Sequence, residues 1–282
     1  MTTSLKWLTK QGLVCPSCGH GSSKIIDRKK VVTTLRRCDN CRLLFRTPTI
    51  TKEENHILYQ EEYQSDFTTD MPSLEELESL KKAIFKDTVK DYSSRINVLE
   101  ALSCKKGERL LDFGCSWGYG SWQFSKAGYV VKAFEISKPR CDYAKQYMGV
   151  EASSSLDELT GPFDIFFSSH VLGHVPNVRE TINDGWRKLR PGGLFVAFTP
   201  NSSNAYRMKH PNRWHDSWSR FLPNLLDEIY YNQVFEGFKK IIASEPYPLD
   251  EFKQWALTGK DYQTKELSGA ELLIVVRKAK QA

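Results

Sequence analysis

The sequence predicts an α/β protein with a doubly wound, mostly parallel sheet, and three observations lead to this fold class. Strand-like and helix-like segments alternate from residue 109 onward, which is typical of parallel strands joined by crossover helices. An apolar run at 109–113, RLLDF, ends in a glycine-rich loop that leads into a helix-compatible segment. Pro162 and Pro191 then mark loop boundaries between later segments.

The composition limits the classes of protein to which this chain can belong. The chain has 282 residues, of which 40% are hydrophobic and 12% aromatic, enough for a substantial core. Its mean hydropathy is negative and it contains no apolar run of membrane length, so we expect a soluble protein with no membrane span. The first residues, MTTSLKWLTKQGLV, lack the apolar stretch and cleavage site of a signal peptide. These features predict a cytoplasmic protein.

Four of the seven cysteines have metal-ligand spacing. Cys15 and Cys18 form one C-x-x-C pair, Cys38 and Cys41 form a second, and nineteen residues lie between the two pairs. This spacing is typical of a zinc ribbon, in which four thiolates surround one tetrahedral ion. Because protein would fill all four positions, the predicted zinc is structural and leaves no open coordination site for catalysis.

The charges are unevenly distributed along the first third of the chain. Residues 24–46 carry eight basic side chains and two acidic ones, whereas residues 53–78 carry nine acidic side chains and no Lys or Arg. The simplest interpretation is that the two blocks attract each other within the chain.

The order of motifs predicts three domains. Residues 1–50 form the zinc ribbon, residues 51–105 a connector and helical cap, and residues 106–282 the main α/β domain. Tyr59 and Tyr63 are predicted aromatic anchors of the connector. The sequence S-L-E-E at 73–76 is a capping box and predicts that a helix begins there.

The glycine loop is the first candidate ligand site. Gly114, Gly118 and Gly120 follow the predicted strand, and glycines allow backbone to approach a ligand closely. Their spacing is not the G-x-G-x-x-G of dinucleotide sites, which disfavours a nicotinamide cofactor. Glu135 ends the next strand, where an acidic residue typically holds ribose hydroxyls. Because Asp112 adds a second acidic group, the site does not favour a negatively charged pyrophosphate. It suits a ligand with a ribose and a cationic tail.

Four segments in order resemble the motifs of the class I S-adenosylmethionine-dependent methyltransferases: LDFGCSWGYG, FEIS, FDIFFSSHVLGHVPN and LRPGGLFVAFTPN. The departures are Ser116, where glycine is usual, and Gly173, where Glu is common. The resemblance implies a Rossmann-like sheet of seven strands, the last antiparallel, and S-adenosylmethionine as cofactor. It also implies a set of cofactor-binding residues, namely Asp112, Gly114, Ser116, Gly118, Glu135, Ile136, Ser169 and His170.

Three histidines are candidates for a general base, since methylation of oxygen or carbon requires removal of a proton. His170 and His174 follow the predicted fourth strand of the main sheet, and His174 matches a histidine common in the family. His215 lies in the segment 204–224, which is rich in Trp, Arg and His and is predicted to form a lid over the acceptor.

The ribbon, the connector and the methyltransferase motifs together resemble bacterial enzymes that methylate sugars, either nucleotide-activated or within surface polysaccharides. This resemblance implies O- or C-methylation of a small-molecule or glycan acceptor. One alternative is an RNA base methyltransferase whose basic ribbon binds phosphates. Another is an adaptor that binds S-adenosylmethionine without catalysis. The sequence favours the sugar over nucleic acid, because no N-P-P-Y motif follows the fourth strand.

Overall fold

The structure is a computed structural model that describes residue 6, residues 12–62 and residues 70–280. Tyr63, one of the predicted connector anchors, lies outside the described residues. Within them, no helix combines the length and the apolar character needed to cross a bilayer.

The strands belong to two sheets. Their bounds are β1 Ser23–Lys29, β2 Thr33–Cys38, β3 Leu44–Thr47, β4 Arg109–Phe113, β5 Val130–Phe134, β6 Glu151–Ser153, β7 Phe163–Ser169, β8 Leu189–Pro200, β9 Asn224–Leu225, β10 Lys240–Ser244, β11 Tyr262–Gln263 and β12 Glu271–Arg277.

The helices lie in the connector and between the strands. Their bounds are α1 Lys52–Ile57, continued by a π-helical turn Leu58–Glu62, then α2 Leu74–Lys82, α3 Ser93–Ala101, α4 Tyr119–Ala127, α5 Lys138–Met148, a 3₁₀ turn Leu156–Glu158, α6 Val178–Lys188, α7 Asn204–Lys209, α8 Pro211–Ser217, α9 Glu228–Val234 and α10 Leu249–Thr258. Ser73 caps α2 in the predicted capping box with Glu76.

The large sheet confirms the predicted fold class. Among the described residues its strand order is β11-β10-β12-β8-β7-β4-β5-β6. Strands β8, β7, β4, β5 and β6 are parallel, and β12 runs antiparallel to both β8 and β10. The sheet has one strand more than the predicted seven, because the two-residue β11 adds to the edge beside β10. A strand of two residues is too short to show a periodic pattern in the sequence.

Helices cover both faces of this sheet, as a doubly wound fold requires. One core contains β-strand residues such as Phe166 and Phe195 together with Ile182 of α6 and Tyr231 of α9. The other contains Phe124 of α4 and further residues of α3 and α10. The carboxyl ends of the parallel strands all lie at one edge of the sheet, and this is the edge where proteins of this architecture bind their ligands.

The small antiparallel sheet, with strand order β1-β2-β3-β9, includes a strand from the C-terminal half of the chain. Leu44 pairs with Leu225, and Phe45 pairs with Asn224. The segment predicted as an acceptor lid, 204–224, packs with this sheet through an apolar cluster that includes Trp214, Trp218 and Leu35. We call β1, β2, β3 and β9 the ribbon sheet. The division of the chain into three domains stays a prediction.

Candidate functional site

A cavity of about 300 Å³ lies at the carboxyl ends of β4, β5 and β7. Its volume is at the lower end of the range for small-molecule sites. The lining combines the glycine loop, the ends of these strands and the first connector helix. The residues are Asn55, Tyr59, Phe113, Gly114, Ser116, Tyr119, Phe134, Glu135, Ile136, Ser169, His170, Val171, His174 and Val175.

The glycine loop has the backbone that its sequence predicts. Gly114 has φ +85°, and an added Cβ would lie 2.3 Å from Val171 Cγ2, so a larger residue does not fit. Ser116, where the resembled family has glycine, also has a positive φ of +53°. Its hydroxyl oxygen accepts a hydrogen bond from the Arg140 guanidinium, with Nη1 and Oγ 3.0 Å apart. This contact offsets part of the cost of a left-handed serine.

Glu135 joins the loop to the end of β5. Its carboxylate accepts hydrogen bonds from the backbone N–H of Ser116 at 2.8 Å and of Ser137 at 2.9 Å. Burial raises the pKa of Glu135, although both N–H donors oppose this effect. Each carboxylate oxygen has a second lone pair, so Glu135 retains acceptors for hydroxyl groups of a ligand.

The structure brings together most of the predicted cofactor residues. Gly114, Ser116, Glu135, Ile136, Ser169 and His170 line the cavity. Asp112 and Gly118 are not among the lining residues. The Asp112 carboxylate accepts a hydrogen bond from the Ser121 hydroxyl at 2.6 Å, and burial raises its pKa to about 7. Gly118 packs against α5, where an added Cβ would lie 2.9 Å from Ala144 Cβ.

The three candidate histidines separate into two locations. His170 and His174 line the cavity. His215 is in α8, where its Nδ1 lies 2.7 Å from Asp27 Oδ2 of the ribbon sheet. The cluster of histidine and tryptophan in the sequence therefore reflects packing onto the ribbon sheet, and His215 is not brought to the cavity.

The His174 side chain is held by a backbone carbonyl of the segment that precedes β9. Its Nδ1 lies 2.7 Å from the carbonyl oxygen of Phe221, which requires that Nδ1 carries a proton. Burial lowers the pKa of His174 to about 4. The side chain is therefore a neutral, weakly basic imidazole at neutral pH.

His170 lies between the cavity and a side pocket of about 280 Å³. Its Nε2 lies 2.5 Å from Oε1 of Glu271, the first residue of β12. His170 also has a left-handed backbone, with φ +56°, which costs a non-glycine residue about 1 kcal/mol or more. Strain of this kind is frequent at functional sites.

Glu271 connects several polar groups beside this pocket. The Arg95 guanidinium forms an ion pair with Oε1, and the Tyr247 hydroxyl donates to Oε2 at 2.5 Å. Burial by itself raises the carboxyl pKa, but the hydrogen bond from His170 and the charge of Arg95 outweigh it and hold the pKa of Glu271 below its usual range. Glu271 is therefore ionised and accepts from all three neighbours. Sequence analysis missed Glu271, because it lies far from every motif.

The connector supplies residues that sequence analysis also missed. Asn55 of α1 is buried in the cavity wall, and its Oδ1 has no hydrogen-bond partner among the described residues. The Gln60 amide donates to the Ile136 carbonyl at 2.7 Å and so joins the connector to the end of β5. Asn55 lies in a polar helix whose sequence gives no signal for a ligand contact.

These groups fit S-adenosylmethionine. The Glu135 carboxylate offers acceptors to ribose hydroxyls, and the glycine loop leaves room for close backbone approach. The orphaned Oδ1 of Asn55 is an acceptor that a ligand N–H or ammonium group would satisfy. A ligand with a ribose and a cationic tail therefore meets complementary groups.

The four predicted metal ligands converge at the edge of the ribbon sheet. The sulfur atoms of Cys15, Cys18, Cys38 and Cys41 all lie within 4.8 Å of one another. The Cys15 and Cys41 sulfurs are 3.5 Å apart, and those of Cys18 and Cys38 are 3.6 Å apart. Four sulfurs on one tetrahedral zinc with bonds of about 2.3 Å would be about 3.8 Å apart. The residues therefore fit a zinc ion.

Half of the basic block is bonded within the chain. The Arg37 guanidinium pairs with Asp227 at 2.6 Å, and the buried Arg46 donates to the Pro48 carbonyl at 2.8 Å. Lys29 and Arg36 also bond to protein oxygens. In the described part of the chain no ion pair joins this block to residues 53–78, so the predicted attraction between the blocks is not seen. Arg37 pairs instead with Asp227, the N-cap residue of α9.

Comparison with known proteins identifies the family. Residues 86–241, more than half of the chain, match the family model described as a methyltransferase domain. A ubiquinone biosynthesis O-methyltransferase of Caulobacter sp. (strain K31) is 32% identical over 106 residues, which are 34% of this chain and 42% of the relative. One from Ralstonia nicotianae is 23% identical over 205 residues, 65% of this chain and 82% of that protein. The chain thus spans less than half the length of the Caulobacter relative.

Two solved structures share the fold. The plantazolicin methyltransferase BamL, in complex with a triazolic desmethylPZN analog and SAH, has a TM-score of 0.52 at 14% identity, and the match covers 81% of this chain and 97% of BamL. Geranyl diphosphate C-methyltransferase from Streptomyces coelicolor A3(2) has a TM-score of 0.50 at 14% identity and covers 81% and 98%. Identity this low shows the fold alone. The family match shows that the chain belongs to the class I S-adenosylmethionine-dependent methyltransferases, and the shared fold agrees with it.

Proposed function

We propose that this methyltransferase acts on a hydroxyl group of a small polar acceptor and uses His170 as the general base. One observation carries the proposal. His170 lies between the cofactor cavity and the side pocket, and its Nε2 is bonded to the ionised carboxylate of Glu271.

The Glu271 contact fixes the tautomer of His170. A carboxylate only accepts hydrogen bonds, so Nε2 must carry the proton in this contact. When the imidazole is neutral, Nδ1 is then an acceptor for the proton of a substrate hydroxyl. Bound S-adenosylmethionine supplies an electrophilic methyl group on sulfur. The chain's own contribution is to align the hydroxyl oxygen with that methyl group and to take its proton on Nδ1 of His170.

His174, which sequence analysis preferred, has the weaker case for this role. An imidazole with a pKa of about 4 takes up a proton poorly at neutral pH. We therefore assign His174 to the cavity wall.

The side pocket supports a polar acceptor such as a sugar. Seven of its eight lining residues carry a charged or hydrogen-bonding group, namely Lys90, Asp91, Tyr92, Arg95, Tyr119, Ser169 and His170, and the eighth is Val89. Aromatic faces and charged side chains together suit a ring that carries hydroxyl groups, whereas an isoprenoid tail requires an apolar groove. The names of the relatives reported above include no sugar methyltransferase, so the sugar rests on this lining alone. The names of the two ubiquinone biosynthesis O-methyltransferases favour oxygen as the acceptor atom, whereas the geranyl diphosphate C-methyltransferase shares only the fold.

We also propose that the four cysteines hold a structural zinc ion. The sulfur distances support this, and the four thiolates leave no open position on the ion. Binding of RNA by this module has less support, because four of the eight basic residues of the block already bond within the chain.

Mass spectrometry of acceptors incubated with the protein and S-adenosylmethionine tests the proposal. Sugar nucleotides, polysaccharide and RNA should be compared in parallel. We expect a single added methyl group on a sugar hydroxyl. Methylated RNA would contradict the acceptor, and binding of the cofactor without transfer to any acceptor would instead indicate an adaptor.

A further inference from the structure

A strand of the ribbon sheet lies next to the wall of the cofactor cavity. The backbone N–H of Arg46 donates to the Pro223 carbonyl at 2.7 Å, beside the pairing of Phe45 with Asn224. Strand β3 follows directly on the second C-x-x-C pair, so the cysteine cluster and β9 are connected through one short strand.

The segment around β9 in turn holds three consecutive residues of the wall. The backbone N–H of Asn224 donates to the Gly173 carbonyl at 3.1 Å, and its side-chain amide donates to the Val175 carbonyl at 2.7 Å. The imidazole of His174, between them, donates to the Phe221 carbonyl. We call residues 171–175 the cleft wall, because Val171, His174 and Val175 line the cavity.

Packing leaves little freedom in this connection. Cys15, Cys38 and Cys41 belong to the same apolar core as Phe45 of β3 and Leu172 of the cleft wall. Gly173 is packed so closely that an added Cβ would lie 2.6 Å from Leu222 Cδ1 and 2.9 Å from the Asn224 carbonyl oxygen. A shift of β9 therefore shifts the cleft wall.

We propose that the four-cysteine cluster and the ribbon sheet together, here called the cysteine module, support the cleft wall. Asn224 is the positioning residue that connects the module to the wall. Segments below about 40 residues rarely fold without a metal, a disulfide or a partner. Loss of the metal therefore releases β3, then β9, and then the wall. This inference rests on the proposed zinc and on cofactor binding, but it does not require that any acceptor be methylated.

Calorimetric titration of S-adenosylhomocysteine into the zinc-loaded full chain tests the role of Asn224. Asn224→Ala should weaken affinity about tenfold while zinc content, measured by metal analysis, stays at about one per chain. Tyr230→Phe is the matched control. It removes a different contact of the module, the 3.1 Å hydrogen bond between Ser17 and Tyr230, and should leave affinity within about twofold of the original protein. Equal affinities of Asn224→Ala and the control would overturn the proposal.

Hydrogen exchange on the unmodified protein gives a second test that depends neither on a variant nor on ligand binding. With zinc bound, the amides of Arg46 and Asn224 should be protected. After chelation, both amides and those of 171–175 should exchange faster together, while the central strand β7 keeps its protection. Unchanged protection of Asn224 after zinc is removed, or a purified protein without zinc in which Asn224 is protected, would overturn the role of the metal.

Discussion

His170 and Glu271 are 101 residues apart in sequence, yet Nε2 and Oε1 lie 2.5 Å apart in the structure. The topology of the large sheet explains this contact. His170 follows the carboxyl end of β7, and Glu271 begins β12. Because β12 is antiparallel, its amino end lies at the edge where the parallel strands have their carboxyl ends; Glu271 pairs there with Pro200 at the end of β8. The reversed strand thus brings a carboxylate to the edge of the sheet where the cavity lies.

Replacement of His170 should remove the proposed base. His170→Gln is expected to lower kcat by about 10²–10⁴-fold, the range for loss of a general base. Glu271→Gln should also lower kcat, because an amide no longer fixes the tautomer, while KM for S-adenosylmethionine stays close to that of the original protein. Steady-state kinetics on the acceptor found by mass spectrometry measures both parameters. Full activity of His170→Gln with loss of activity in His215→Gln would reverse the assignment.

Replacement of Glu135 should weaken cofactor binding. Glu135→Ala removes a charged acceptor from the ribose site and is expected to cost about 1–3 kcal/mol of binding free energy. Glu135→Gln keeps the size and one acceptor oxygen and should show a smaller loss. Calorimetry with S-adenosylhomocysteine gives the values. If both variants bind as tightly as the original protein, Glu135 has no role in the site.

Stability should depend on pH through His174. Its pKa is about 4 in the folded protein and about 6.5 in the unfolded chain, so the unfolded chain binds more protons between these values. The free energy of unfolding therefore falls as the pH falls through this window. His174→Asn keeps a donor for the Phe221 carbonyl and should lose about 1–3 kcal/mol less stability over the same window. Urea unfolding at a series of pH values measures this, and identical pH dependence of both proteins would contradict it.

The Gly173 position should not accept a larger residue. Gly173→Ala places a Cβ against Leu222 and the Asn224 backbone and is expected to destabilise the protein by about 1–3 kcal/mol. Gly21→Ala is the matched control, because an added Cβ there meets nothing within 4 Å. Thermal unfolding compares the two variants. Equal melting temperatures would mean that the cleft wall adjusts freely.

The local parts of the site were predictable from the sequence, and the long-range parts were not. The glycine loop and Glu135 are signalled by residue types at fixed spacing along one strand-loop-helix unit. The position of Glu271 depends on the direction of the last strand, and Asn55 lies in a polar helix without a motif. The aromatic segment around His215 was predicted to face the acceptor, but its His215 and Trp218 side chains bond to Asp27 of the ribbon sheet. The sequence could not distinguish these two cases, because the same hydrogen-bonding side chains suit either a ligand or a neighbouring sheet.

The fold shows the same division. The alternation of strands and helices predicted the large sheet, because each of these strands has an apolar run. The antiparallel direction of the last strand was implied only by the resemblance to the methyltransferase family. The addition of β9 to the ribbon sheet has no counterpart in the sequence pattern. It involves two residues, Asn224 and Leu225, whose pairing is set by the packing of α7 and α8.

A crystal structure of the full chain with S-adenosylhomocysteine tests the central claim most directly. The ribose hydroxyls should be hydrogen-bonded to the Glu135 carboxylate, with the sulfur on the side of the cavity that His170 lines. Ligand bound elsewhere, with Glu135 bonded only to the Ser116 and Ser137 backbone, would contradict the account.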